Sequence, residues 1–97
     1  MDPSPLKPHT FFYVYLLRSE INDRFYVGFT DNLEARLEKH NRGLVYWTKR
    51  YKPWQIIYYE AYRSKSDALL REKQLKRFAK GFAQLKRRLS GTLGLQR

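Results

Sequence analysis

Cysteine is absent from all 97 residues, so neither a disulfide nor a thiolate metal site is available. The two histidines have no nearby third ligand, which leaves no pattern for a structural zinc. Acidic residues are scarce, nine against twenty Lys and Arg. No apolar run approaches the roughly 20 residues of a membrane span. Residues 1–10 hold Pro3, Pro5 and Pro8 and no apolar stretch, so they read as a loose arm rather than a signal peptide. The chain length suits one domain with its own core and no second lobe. These absences describe a soluble, reduced-compartment protein; a cytoplasmic monomer that does not span a membrane is the expectation.

What is present in excess is positive charge, +11 overall, and it is unevenly placed. From Arg63 onward eleven Lys and Arg face only Asp67 and Glu72, whereas residues 1–62 hold nine against seven acids. Clustered cations release condensed counterions from a nucleic acid and give salt-sensitive, sequence-independent affinity. A basic solubilising face, or an acidic protein or membrane partner, would produce the same composition. Eight Tyr, six Phe and two Trp suit base stacking, yet most lie in strand-like runs where aromatics pack a core.

Periodicity predicts the order strand, strand, helix, strand, helix, helix. Residues 11–18 (FFYVYLLR) are apolar on both faces, as a central strand requires. The polar SEIND turn returns the chain antiparallel through residues 24–29. Asp31-Asn32-Leu33-Glu34 has the form of a capping box opening a helix to about Asn41, with Gly43 as its stop. A loop over residues 43–53 carries Tyr46, Trp47, Lys49, Arg50 and Lys52, and WQIIYYEAY at 54–62 is the third strand. Ser64 or Ser66 caps a second helix to about Ala79, which Gly81 separates from a shorter basic helix ending near Gly91.

Four features stand outside this scheme. At about 100° per residue Ala68, Glu72, Leu75 and Ala79 share a narrow stripe, so the core-facing line of the second helix carries a carboxylate. An unpaired carboxylate there is costly; it needs a cationic partner, such as Arg36 or a lysine, or a divalent metal. Arg36 and His40, four apart, share one helix face beside the Leu33/Leu37 line, and taken alone they read as a solvated face. Tyr15 and Tyr26, taken alone, read as aromatic packing on a sheet. Gly28 inside a strand removes a side chain and lets another group approach.

Over residues 11–89 the chain resembles the GIY-YIG nuclease superfamily, specifically its small stand-alone single-domain members. The first half-motif is read in Tyr13-Val14-Tyr15, with Tyr13 where the family has glycine, and the second in Tyr26-Val27-Gly28. Residues 31–41 (DNLEARLEKHN) look like the family's first helix, with Arg36 and His40 at its functional positions, and Ala68-Leu69-Leu70-Arg71-Glu72 resembles the helix that supplies a metal-binding glutamate. Each motif is short; their order and spacing together are specific.

The resemblance implies an α+β fold, a small three-stranded antiparallel sheet flanked by helices (β-β-α-β-α-α), occupying residues 11–90 between an N-terminal arm and a C-terminal tail at 91–97. It implies a DNA endonuclease of repair or processing, with little sequence specificity, that hydrolyses phosphodiester bonds with one Mg²⁺ or Mn²⁺ ion. Tyr26 would activate or orient the attacking water, with Tyr15 as its hydrogen-bonding neighbour and Arg36 clamping the scissile phosphate. His40 would transfer a proton or bind phosphate, and Glu72 would be the sole protein ligand to the metal. No lysine follows Gly28, where Phe29-Thr30 stand, which turns attention to His40 as activator. The family's later-helix asparagine has no counterpart except, by chemistry alone, Gln84. Lys49, Arg50, Lys52, Lys73, Lys76, Arg77, Lys80, Lys86, Arg87 and Arg88 form the expected nucleic-acid face. Two other readings stay open: a catalytically weak or inactive nucleic-acid-binding module on the same fold, and a ribosome- or polymerase-associated protein in which Glu72 is merely paired with Arg36.

Overall fold

The computed structural model describes residues 10–77 and 79–94, with the backbone alone at residues 79 and 80. Most of the expected arm, the side chain of Lys80 and residues 95–97 lie outside the described residues. Three strands form one antiparallel sheet: β1 (Phe12–Ser19), β2 (Phe25–Thr30) and β3 (Trp54–Tyr62), in the order β2-β1-β3. With α1 (Leu33–Asn41), α2 (Lys65–Arg77) and α3 (Ala79–Arg88), the order is β-β-α-β-α-α.

β1 is central because its side chains are apolar on both faces, and the alternation divides them. Val14 and Leu16 pack with Val27, Ala68, Leu75, Leu85 and Leu93 toward α2 and α3. Tyr15 and Leu17 turn the other way and pack with Trp54, Leu33 and Leu37 toward α1. Opposite Leu16 and Leu17 the β3 strand carries one extra residue, Ile57, between Tyr58 and Ile56. That bulge lets Ile57 and Tyr58 both pack toward α2 and α3 while Ile56 serves the other side.

The helix ends show where local chemistry differs from expectation. The cap of α1 is Asn32, whose side chain accepts from Ala35 N at 3.1 Å. Asp31 and Glu34 therefore do not form the reciprocal box that their spacing suggested. At the other end Gly43 adopts φ +76°, and the Gly43 N to His40 O and Leu44 N to Lys39 O bonds complete a Schellman turn. Ser64 caps α2, its hydroxyl accepting from Asp67 N at 3.2 Å. Gly81, expected to separate the second and third helices, lies inside α3 facing the Gln74 carbonyl. The chain beyond residue 90 is also not a free tail at its start: Leu93 is buried in the core and its carbonyl accepts from Arg18 Nη1 at 2.9 Å.

Two polar ties fix elements to one another. Asn41, at the end of α1, accepts from Trp54 N at 2.6 Å and donates to Trp54 O at 3.1 Å, joining α1 to the start of β3. Glu60 on β3 receives Arg71 of α2 through two bonds of 2.9 and 3.1 Å, and the hydroxyls of Tyr58 and Tyr62 at 2.7 and 2.6 Å. Burial alone would raise the Glu60 pKa, but these four donors outweigh it and hold the carboxyl below its ordinary value.

Candidate active site

The register of the β1–β2 hairpin sets the site. Tyr15 lies opposite Gly28 and Leu17 opposite Tyr26, so Tyr15 and Tyr26 project from the same sheet face, the face that α1 covers. A Cβ on Gly28 would fall onto Cζ and the hydroxyl of Tyr15. The glycine is the space into which the phenol folds.

From α1, His40 and Arg36 meet that phenol. The Tyr15 hydroxyl lies 2.8 Å from His40 Nε2, and Arg36 Nε donates to it at 3.4 Å. His40 Nδ1 lies 2.7 Å from Thr48 Oγ1, which itself donates to Val45 O at 3.4 Å. Since Thr48 spends its proton on Val45, the network assigns the His40 proton to Nδ1 and leaves Nε2 to accept from Tyr15. Burial, reinforced by the nearby Arg36 charge, lowers the His40 pKa to about 4, so the ring is neutral at physiological pH. Burial likewise pushes the Tyr15 pKa up to about 12; Arg36 opposes the rise, and the charges of Tyr26 and Glu72 add to it. Tyr15 therefore stays protonated and donates.

Tyr26 and Glu72 complete the constellation. The Tyr26 ring is half-buried, 5.2 Å from the His40 ring centre to centre, and among the described residues its hydroxyl has no hydrogen-bond partner. Glu72 is one fifth exposed and pairs with Lys76 at 3.2 Å, while the same Lys76 ammonium stands 5.1 Å over the Tyr26 ring. Of the two partners expected for a buried Glu72, a lysine rather than Arg36 takes the place. The Arg36 side chain is half-buried, and beyond the bond to Tyr15 it makes no hydrogen bond among the described residues.

The arrangement thus brings Tyr15, Tyr26, Arg36, His40 and Glu72 together, and it alters two of the contacts expected. His40 is fully buried with both nitrogens engaged, so it faces Tyr15 and Thr48 rather than a phosphate or a water. Tyr15 bonds to His40 and Arg36, not to Tyr26. A lysine does accompany the Tyr26 phenol, Lys76 from α2 instead of a residue after Gly28; its spacing of four from Glu72 was the available signal. Thr48 carried no signal beyond its place in a loop.

Among the expected nucleic-acid cations, Lys49, Arg50, Lys52, Lys73, Arg77, Arg87 and Arg88 are exposed. Lys76 belongs to the site, and Lys86 is half-buried with its ammonium 5.4 Å over Phe82 and 5.9 Å over Phe25. Beside Arg36 a cleft of about 330 Å³ brings in Lys39 and Lys65, with Asp31 its one carboxylate. Neither lysine was among the expected contacts, although Lys39 lies three residues from Arg36 on the same helix.

For a divalent ion the donor set is spare. Among the described residues no three of His, Cys, Asp and Glu cluster, so Glu72 would be the single protein oxygen. That suits Mg²⁺ or Mn²⁺, which take one or two carboxylates and fill the remaining positions with water and substrate phosphate. The Lys76 ammonium on Glu72 shows that the carboxylate already attracts a cation.

The model of the GIY-YIG catalytic domain matches residues 11–82. This chain belongs to the GIY-YIG family. It is 39% identical over 69 residues to a UPF0213 protein of Staphylococcus haemolyticus, covering 70% of this chain and 83% of the relative. A UPF0213 protein of Staphylococcus aureus is 37% identical over the same length and shares. No solved structure matches the chain. The GIY-YIG domain places the chain in a nuclease-type hydrolase superfamily, and no described helix is long and apolar enough to cross a membrane.

Proposed function

We propose that this GIY-YIG chain is a divalent-metal-dependent endonuclease that hydrolyses DNA phosphodiester bonds with little sequence preference. The observation that carries the reading is the meeting of Arg36, Tyr26 and Glu72 at one place, around a Tyr15–His40 pair for which Gly28 makes room. Arg36 anchors itself on Tyr15 through Nε and keeps its Nη groups for the scissile phosphate, whose developing negative charge a planar guanidinium matches. The Tyr26 hydroxyl accepts a hydrogen bond from the attacking water and orients it toward phosphorus. The Lys76 ammonium above that ring adds positive charge beside the phenol. As water adds, one P–O ester bond breaks; the water's proton passes along its hydrogen bond to the Tyr26 hydroxyl, which releases its own proton to solvent, and the departing oxygen takes a proton from solvent. Neutral His40 holds Tyr15, and through it Arg36, and takes no part in the exchange. Glu72 would hold the metal ion, which supplies neutralisation of phosphate charge and easier ionisation of water beside it.

One observation favours a second reading: the Glu72–Lys76 pair satisfies the carboxylate without metal, as a binding module without turnover would. Nicking of supercoiled plasmid in a Mg²⁺ titration separates the two. Glu72→Gln should abolish nicking while DNA binding stays equal or tightens, since one negative charge leaves a basic surface. Lys76→Met should lower the Mg²⁺ concentration needed for half-maximal nicking. Nicking that persists in excess chelator, or is unaffected by Glu72→Gln, contradicts the endonuclease mechanism.

A further inference from the structure

The loop between α1 and β3 exposes apolar surface that neither the core nor the site uses. Tyr46 is 69% and Trp47 75% exposed, and Leu44 beside them 61%. Single exposed aromatics are ordinary, but here two are adjacent, ring centres 5.0 Å apart in an edge-on pair. With Lys49, Arg50 and Tyr51 they line a shallow cleft of about 230 Å³. Lys49 Nζ stands 5.2 Å over the Tyr46 ring. Residues 42–53 contain Arg42, Lys49, Arg50 and Lys52 and no carboxylate.

The loop is held rather than floating. Thr48, the residue after Trp47, is fully buried; its hydroxyl meets His40 Nδ1 and its carbonyl accepts the Trp54 indole N–H at 2.8 Å. Arg24 lies 4.4 Å over the Tyr51 ring, and Gly43 turns the chain into the loop. An aromatic pair on an anchored turn loses little freedom when it is covered. Its anchor is also a partner of the site's histidine, which ties the loop to the site.

We infer that Tyr46 and Trp47 form a stacking platform for an unpaired nucleobase next to the scissile bond, which directs the chain to gapped, flapped or single-stranded DNA. Charge complementarity decides the occupant: aromatic faces beside Lys49 and Arg50, in a loop without a carboxylate, suit a polyanion with exposed π-faces, whose bases stack on aromatics and whose phosphates take Lys49 and Arg50. In fully paired DNA the bases are already stacked on one another and offer the platform nothing. The inference rests on the endonuclease reading for its placement beside a cut, while its test reads binding and needs no turnover.

The experiment is fluorescence anisotropy of an end-labelled single strand and of the same strand fully paired, at one salt concentration. The chain is compared with Trp47→Ala, Tyr46→Ala and Trp47→Phe. Trp47→Ala should reduce the ratio of single-strand to duplex affinity by about tenfold, the scale of losing one base–aromatic stack, and Trp47→Phe should restore most of it. Trp47→Ala should also keep the salt dependence, because no phosphate contact is removed. An unchanged ratio, or an equal loss on both substrates, overturns the platform. So does Trp47-dependent binding to phosphatidylglycerol vesicles with an unaltered oligonucleotide ratio, which assigns the surface to a membrane. A protein that shows the Trp47 effect yet cuts nothing in Mg²⁺ or Mn²⁺ upholds the platform and defeats the nuclease reading. One that cuts plasmid with the ratio unmoved does the reverse.

Discussion

At the scale of single residues, the site depends on groups whose value lies in what they allow a neighbour to do. Gly28 is the clearest case. Gly28→Ala places a methyl where the Tyr15 hydroxyl sits, so the ring must leave His40 and Arg36. Overpacking of this kind costs about 1–3 kcal/mol, measurable as a lower urea midpoint, and nicking should fall further than that loss of folded protein explains. His40 makes a pH-dependent contribution. The unfolded chain protonates it near its ordinary 6.5 and the folded chain only near 4, so stability is fully present above pH 6.5 and is lost as pH falls toward 4. The loss reaches up to about 3 kcal/mol, and urea midpoints between pH 4 and 7 should show it and lose it in His40→Gln. The Glu60 contribution falls away below its ordinary 4.5, largely outside that window. That these five side chains come together was legible because short motifs fix their spacing along the chain. Thr48 and the Lys76 contact were not, since each follows from packing between elements distant in sequence.

Among elements, α2 is the one whose placement decides whether Glu72 can serve the site. Arg71 precedes Glu72, and its two bonds to Glu60 fasten α2 to β3. Each partner is less than a third exposed, 25% and 16%, so removing one leaves a partly buried charge uncompensated. Glu60→Gln should cost about 2–4 kcal/mol, discounted from the full burial case, and should loosen α2. The accompanying sign is a higher Mg²⁺ requirement for nicking, where a defect confined to stability would leave that requirement unchanged. Strand order and the first helix were readable from periodicity and turn chemistry. The Asn32 cap differs by one residue from the predicted box because Thr30 already turns the chain, its hydroxyl bonding to both Asn32 N and Asn32 O. The Ile57 bulge escaped notice because a run of apolar residues does not show which one is extra.

For the whole molecule, two halves of unequal charge meet across a sheet with a different core on each face. The strongly basic C-terminal third packs α2 and α3 on one side, while α1 covers the side on which Tyr15, Arg36 and His40 meet. Composition identified the excess of cations but not their use: Lys86 lies on Phe25 and Phe82, Lys76 enters the site, and Lys39 and Lys65 line the cleft beside Arg36. The fold followed from the sequence because β1 is apolar on both faces and hence central; the packing of Leu93 was hidden by the polar, glycine-bearing residues around it. The central claim is that this assembled surface cuts phosphodiesters through Tyr26 and Arg36, and plasmid nicking rates under saturating Mg²⁺ test it most directly. Tyr26→Phe should cut roughly a hundredfold or more slowly, the usual scale for a group that handles a proton, with the urea midpoint nearly unchanged. Arg36→Ala should be as slow, and Arg36→Lys should recover little because an ammonium lacks the planar two-point contact. Tyr26→Phe protein that cuts at the original rate would contradict the account.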